Sequence, residues 1–266
     1  MRKDHPMRVL LTNDDGITAT GLNTMRRALL ELPDVELEVI APDSNRSATG
    51  RAVTLRDPIW VEELEFGDGT TGFATDGTPV DCVRFAALGL IEEPPELIVS
   101  GINHGANLGD DITYSGTVAA ALEGIMLGIP ALAVSLAAGT EFGPLAAFVA
   151  RMVDELEDVP MPDGTLLNVN GPGGEVTGAC ACRLGKRVYN DKMELTEEEE
   201  GGRRRYRLYG QEPGYEHEPG TDFAAIAEGL IAVTPIHFDL TDQAGVEELA
   251  GFDLERLLRP ATEAVE

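Results

Sequence analysis

The stretch RVLLTNDDGIT, residues 8–18, decides the fold. An apolar run, Val9-Leu10-Leu11, ends in Thr12 and Asn13; two adjacent carboxylates, Asp14 and Asp15, follow, and Gly16 closes the segment. The run reads as a strand. The acid pair at its end needs a physical reason, because neighbouring like charges raise each other's pKa and resist burial. One reading is an Asx-turn with an incidental pair, since Asn-Asp-Asp-Gly is good turn chemistry. The other is a hard divalent cation, bound by carboxylate oxygens on a rigid turn and removing their repulsion. Zinc, which favours His and Cys, fits such a pair poorly.

Outward from this stretch, apolar strands alternate with helical patterns. Strands are expected at 8–12, 35–41, 96–100, 131–135 and 165–169, and helices at 21–31, 79–89, 117–128 and 144–156. This is the grammar of a parallel sheet with crossover helices. In the helix at 117–128, Ser115 is placed to cap the first turn. Val118, Leu122, Ile125 and Met126 form an apolar stripe, and Gly128 and Pro130 stop the helix. After Asn170 the pattern changes. Residues 179–210 hold alternating segments around an acidic turn at 197–202 and read as a long β-hairpin. Residues 211–222 read as loop, 231–241 as a last core strand and 242–266 as an acidic amphipathic helix. The expected organisation is a Rossmann-like α/β core over 7–178, a hairpin arm over 179–222, and a closing strand and helix over 223–266. Residues before Met7 read as a short disordered extension.

Composition narrows the class. With 266 residues and 43% apolar content the chain is a globular protein with a sizeable core. It has no window apolar enough to span a membrane and no apolar segment at its start. Three cysteines, Cys82, Cys180 and Cys182, are too few for a disulfide framework, which indicates a reducing cytoplasm. The net charge of −27 disfavours nucleic acid polymers and anionic membranes as partners. The acids are dispersed and only three basic residues are Lys, which points to salt adaptation.

Four segments, 12–16, 41–50, 100–111 and 114–124, each follow an expected strand or open a helix, and are expected to converge at the C-terminal strand ends, where open parallel sheets bind ligands. Asn103 adds an amide oxygen beside the acid pair. Ser115 and Thr117, with the free N–H groups of a helix start at Gly116, make a phosphate cradle, although ordinary N-capping explains them as well. Arg46 suits phosphate and the Ser47 hydroxyl suits a metal, against the plainer reading of a surface loop. His104 reads as an exposed loop histidine, and Asp110 and Asp111 as a solvated loop face. Cys180 and Cys182 alternate on a strand and read as small buried hydrophobes. The segment 162–169, although it contains Asp-Gly-Thr, reads as a turn entering a strand. No dinucleotide or P-loop glycine signature is present.

Taken in order, TNDDGI, APDSNRSATGRAVT, DGTPVDCV and ELIVSGINHGANLGDDITYSGTVAAALEG resemble the SurE family of stationary-phase survival proteins, metal-dependent 5′-nucleotidases. The resemblance implies a Rossmann-like core and a C-terminal extension that builds a homodimer or homotetramer. It implies one divalent ion per subunit, Mg²⁺ or Mn²⁺, held by Asp14, Asp15, Ser47 and Asn103. It implies hydrolysis of nucleoside monophosphates, 5′- and also 3′-, with Asp14 and Asp15 as the catalytic pair. Asn103, Asn107, Ser115, Gly116 and Thr117 then bind the phosphate. A non-catalytic nucleotide sensor and a nucleotide-sugar transferase are the rival classes.

Overall fold

The computed structural model describes residues 5–210 and 214–258. The chain runs β1 (Met7–Thr12), α1 (Thr20–Leu30), β2 (Val35–Pro42), β3 (Val61–Glu65), β4 (Thr71–Thr75), α2 (Pro79–Ala87), β5 (Leu97–His104), a 3-10 turn (Gly109–Tyr114), α3 (Gly116–Met126), β6 (Ala131–Leu136) and α4 (Gly143–Asp154). It continues through β7 (Thr165–Gly171), β8 (Gly178–Ala181), β9 (Arg187–Val188), β10 (Asp191–Glu198), β11 (Arg204–Gly210), β12 (Gly214–Tyr215), α5 (Asp222–Ala227), β13 (Leu230–His237), α6 (Gln243–Ala250) and a second 3-10 turn (Leu254–Leu258).

The central sheet has nine strands in the order β3-β4-β2-β1-β5-β6-β7-β13-β8. It is parallel from β4 to β7, with β3 and β13 antiparallel to their neighbours β4 and β7. The period of two along a strand explains why the β1 run is apolar throughout. Val9 and Leu11 face Leu22, Met25, Leu29, Leu145, Val149 and Val153 of α1 and α4. Leu10 faces the opposite layer, with Val83, Ala86, Val118 and Ala121 of α2 and α3. Each such side chain contributes about 1.5–3 kcal/mol by leaving water. The chain moves from β1 to β2 on one side and from β5 to β7 on the other, so the topological switch lies between β1 and β5. The loops after both strands open into that crevice.

The expected α/β class, with a mostly parallel sheet, flanking helices and a C-terminal hairpin, describes this architecture, and several details differ from expectation. The edge hairpin β3–β4 has no counterpart in the reading of the sequence. In α3, Val118 is buried but Met126 is exposed, and the buried face is made of Ala119, Ala120, Ala121, Glu123 and Gly124. Close packing on the sheet selects small residues there: a Cβ on Gly124 would lie 2.5 Å from Cδ1 of Ile98. The arm is shorter than 179–222. Residues 178–181 pair with β13 inside the sheet, and the hairpin proper is β10–β11. The stretch read as loop holds β12, which pairs with β9, and the start of α5. The closing strand ends at His237, and the terminal helix ends at Ala250, with Gly251 as its C-cap in a right-handed conformation. The rest of that expected helix, 259–266, and residues 1–4 of the expected extension lie outside the described residues. Among the described residues no helix is long and apolar enough to cross a membrane.

Candidate active site

After β1, the Asn13 side chain closes an Asx-turn: its Oδ1 accepts from the Gly16 N–H at 3.1 Å and its Nδ2 donates to the Gly16 carbonyl at 3.0 Å. Gly16 has φ of 105°, which only glycine adopts freely. The turn chemistry read from the sequence is therefore present, and it holds both acids at the switch point. Asp15 is half-buried. It accepts from the His104 N–H at 2.9 Å and from Asn45 Nδ2 at 3.2 Å. Asn45 Oδ1 in turn accepts from the Ser47 N–H at 2.8 Å. The Arg46 N–H donates to the Asp14 carbonyl at 2.7 Å. Loop 43–50 and the end of β5 are thus tied to the acid pair by hydrogen bonds, and Asn103 and Ser47 are sequence neighbours of those ties. The Ser47 side chain is exposed, and the Asn103 amide donates to the Gly105 carbonyl at 2.8 Å.

Asp14 is 3% exposed. The Thr117 hydroxyl donates to its Oδ1. A Cβ on Gly116 would lie 2.8 Å from Asp14 Cβ and 3.0 Å from its Oδ2, so the start of α3 sits directly on this carboxylate. Burial holds the Asp14 carboxyl above the usual carboxylate range; the Thr117 hydrogen bond opposes that shift and the charge of Asp15 adds to it.

Among the described residues the buried acids are Asp14, Asp81, Glu123 and Asp222. Three of them are compensated. Asp81 accepts from the backbone and hydroxyl groups of Thr54 and Thr78. Glu123 pairs with Arg51 at 2.7 Å and Arg84 at 2.8 Å. Asp222 accepts from the N–H groups of Gly109, Gly185 and Phe223 at 2.7–2.9 Å. Asp14 has its threonine and a like-charged neighbour, and among the described residues no basic side chain pairs with it. A buried carboxylate so placed is costly, and a dication beside it reverses the sign of that cost. No group of three or more His, Cys, Asp or Glu is placed for a metal among the described residues. The donor set expected from the sequence, two carboxylates with a hydroxyl and an amide oxygen, would suit a hard cation that keeps several waters.

The Ser115 hydroxyl caps α3, accepting from the Val118 N–H at 3.1 Å. Asn107 is held from β6 and β7. Its N–H donates to Asn170 Oδ1 at 2.9 Å, its carbonyl accepts from Asn168 and Asn170 at 2.9 and 3.0 Å, and its amide donates to Ser135 at 2.8 Å. This buried network was missed by sequence reasoning; two asparagines inside the apolar run LLNVNG were its signal. Asp222 was missed as well. It fastens Gly109, at the head of the 3-10 turn leading to Ser115, to Gly185 at the root of the arm. Asp110 and Asp111 are not simply solvated. Asp111 pairs with the Arg187 guanidinium and accepts from the Tyr189 hydroxyl at 2.5 Å, while Asp110 accepts from the Arg187 N–H at 3.2 Å. His104 is exposed, with its ring edge-on to Phe142 at 6.0 Å.

The family described as Survival protein SurE matches residues 9–191. This chain belongs to the SurE family. Relatives named 5′-nucleotidase SurE agree with that membership over nearly their whole length. The one from Rubrobacter xylanophilus is 49% identical, covering 95% of this chain and 99% of its own. The one from Geobacter sulfurreducens is 45% identical, covering 93% and 94%. The crystal structure of SurE protein from Aquifex aeolicus shares the fold with a TM-score of 0.76 at 37% identity, covering 91% of this chain and 99% of that one. The SurE match spans the four motifs quoted above, including both acids and the start of α3.

Proposed function

We propose that this SurE family member is a 5′-nucleotidase that hydrolyses nucleoside monophosphates to nucleoside and phosphate, using one Mg²⁺ or Mn²⁺ per subunit. The observation that carries the reading is Asp14, a buried carboxylate under the first turn of a helix, hydrogen-bonded by Thr117 but paired with no basic side chain among the described residues. Family membership and the names of the relatives support the nucleotidase activity. Asp14, Asp15, Ser47 and Asn103 are the residues that would hold the ion. When bound, it supplies charge that offsets the leaving alkoxide and the phosphoryl oxygens. Free N–H groups at the start of α3 face phosphate, with Ser115, Gly116, Thr117, Asn103 and Asn107 around them. Water attacks phosphorus in line with the ester oxygen, and the P–O ester bond breaks. Asp14 Oδ2, the oxygen not held by the Thr117 hydroxyl, takes the water's proton, and the leaving alkoxide takes a proton from solvent water to depart as the nucleoside, after which Asp14 returns its proton to solvent. Two measurements test the reading. Phosphate release is followed over a panel of 5′- and 3′-monophosphates, and Mg²⁺ or Mn²⁺ uptake by chelator-stripped protein is followed by calorimetry. Absence of uptake, with or without phosphate, rules out the metal site; absence of phosphate release leaves the nucleotide-sensor reading.

The arm supports a homodimer or homotetramer. Among the described residues its strands β10 and β11 pair only with each other, and cross-strand pairs Met193 with Leu208 and Leu195 with Tyr206 line up exposed apolar side chains. A lone hairpin is marginal in water, and a partner subunit would cover this surface. Apart from the four buried acids, the carboxylates of the described residues lie at the surface or half-buried, which supports salt adaptation. Light scattering and a thermal melt in low and in molar KCl check both expectations: a mass of two or four protomers, and a melting temperature that rises with salt. A monomer refutes the first, and a flat or falling melting temperature refutes the second. Three free thiols support a reducing, cytoplasmic location, which cell fractionation checks.

A further inference from the structure

We infer that Trp60 is the platform on which the nucleobase of the substrate stacks, which makes this site selective for nucleoside monophosphates over sugar phosphates; the inference rests on the nucleotidase reading. Trp60 is the single tryptophan of the chain and is 81% exposed. Trp is among the more buried residue types on average, so an uncovered indole beside a ligand site calls for a ligand.

Trp60 lies at the correct edge of the sheet. β3 runs antiparallel to β4, and β4 runs parallel to β2. The residue just before β3 therefore sits at the edge where β1 and β2 end, three strand spacings from β1, or about 14 Å. Hydrogen bonds lead from it to the acid pair. The Trp60 N–H donates to Asp76 Oδ1 at 2.8 Å, and its carbonyl accepts from the Asp76 N–H at 3.3 Å. The Asp76 carbonyl accepts from the Arg46 guanidinium at 2.9 Å, and the Arg46 N–H donates to the Asp14 carbonyl at 2.7 Å. A second route is steric. Pro79, three residues beyond Asp76, lies 3.2 Å from where a Cβ on Gly116 would stand. The backbone of Trp60 is thus carried on a frame tied to the acid pair, and that frame reaches the start of α3 through Pro79. A nucleotide with its phosphate beside Asp14 and its base directed toward β3, met by the reach of the indole, spans a distance of that order.

The chemistry agrees with the position. The phosphate cradle reads only the phosphoryl group, so preference for a nucleotide needs a contact to the base. A flat apolar face supplies one for every base. Across the mouth, Tyr114 is exposed too, with its carbonyl held by the Gly50 N–H at 3.0 Å; it is the competing platform.

Two readouts test the inference. The first is the ratio of kcat/KM for adenosine monophosphate over ribose 5-phosphate in wild type, Trp60→Ala, Trp60→Phe and Tyr114→Ala. Trp60→Ala is expected to lower that ratio on the order of ten- to a hundredfold, through KM, and Trp60→Phe to restore most of it. The second is the emission of the single tryptophan, expected to change with adenosine monophosphate and not with ribose 5-phosphate. An unchanged ratio in Trp60→Ala, a collapse confined to Tyr114→Ala, or equal emission changes for both ligands overturns the inference. Failure of the wild type to release phosphate from any nucleotide would instead strike the nucleotidase reading, and the emission titration would still decide whether Trp60 meets a base.

Discussion

Asp14→Asn is expected to reduce phosphate release from a nucleoside 5′-monophosphate on the order of a thousandfold or more at saturating Mg²⁺ or Mn²⁺, which corresponds to about 4 kcal/mol or more of barrier. The amide keeps the size of the side chain and still offers an oxygen to the Thr117 hydroxyl. What it loses is the charge and the basicity of the oxygen facing α3. The same variant is expected to be more stable than wild type when both are stripped of metal at neutral pH. The sign follows from the raised pKa of Asp14. Below the ordinary carboxylate range the acid is neutral in folded and unfolded chains alike and costs nothing. As pH rises through the folded pKa the buried group must ionise against its desolvation, and stability falls. Asn has no such transition, so its advantage opens above that range. Added Mg²⁺ should raise the wild-type melting temperature and leave the variant nearly unmoved. Turnover within tenfold of wild type would refute the assignment of Asp14, and an equal metal-induced shift in both proteins would refute the metal site.

The stretch that opened the sequence was legible because three independent constraints agree there. The apolar run needs two covered faces, the Asn-Asp-Asp-Gly turn needs a glycine at positive φ, and the two acids need compensation. α2 was legible for similar reasons: Thr78 and Asp81 form a capping box around Pro79 at the first helical position. The β3–β4 hairpin was not legible. Glu62, Glu63 and Glu65 line an edge strand whose outer side faces solvent, so neither alternation nor an apolar run marks it. Asp222 was hidden differently. Its neighbours Gly220 and Thr221 look like loop chemistry, although Thr221 caps α5 and was a readable start signal. Contacts such as that of Asp222 with Gly109 join residues 113 positions apart, and no local pattern encodes them. Trp60 illustrates the same limit. In sequence it is one scattered aromatic, and only the register of β3 on β4 and β4 on β2 brings it to the edge where Asp14 lies.

Gly116→Ala should separate the site from the fold. On helix propensity alone the change is favourable, by up to about 1 kcal/mol, since Ala is the better helix former. Against that, the new Cβ would lie 2.8 Å from Asp14 Cβ, 3.0 Å from Asp14 Oδ2 and 3.2 Å from Pro79 Cγ. Neither neighbour yields easily: Pro79 is a ring at the first position of α2, and Asp14 is fixed by the Asx-turn and by Thr117. Overpacking of this kind costs about 1–3 kcal/mol. The two effects leave a net change between roughly zero and a loss of about 3 kcal/mol, less than the stability of a typical domain, so the variant folds. The strain is relieved by the start of α3 moving away from Asp14, which would displace the Gly116 N–H and the rest of this first turn from the proposed phosphate position. A displacement near 1 Å costs on the order of a hundredfold in rate. The expected result is therefore a kcat/KM about a hundredfold lower with a melting temperature only a few degrees lower, measured on the same preparation. Wild-type kcat/KM in a folded Gly116→Ala protein would show that α3 does not begin at the reacting phosphate, because a cradle in contact with Asp14 has no room for that methyl group.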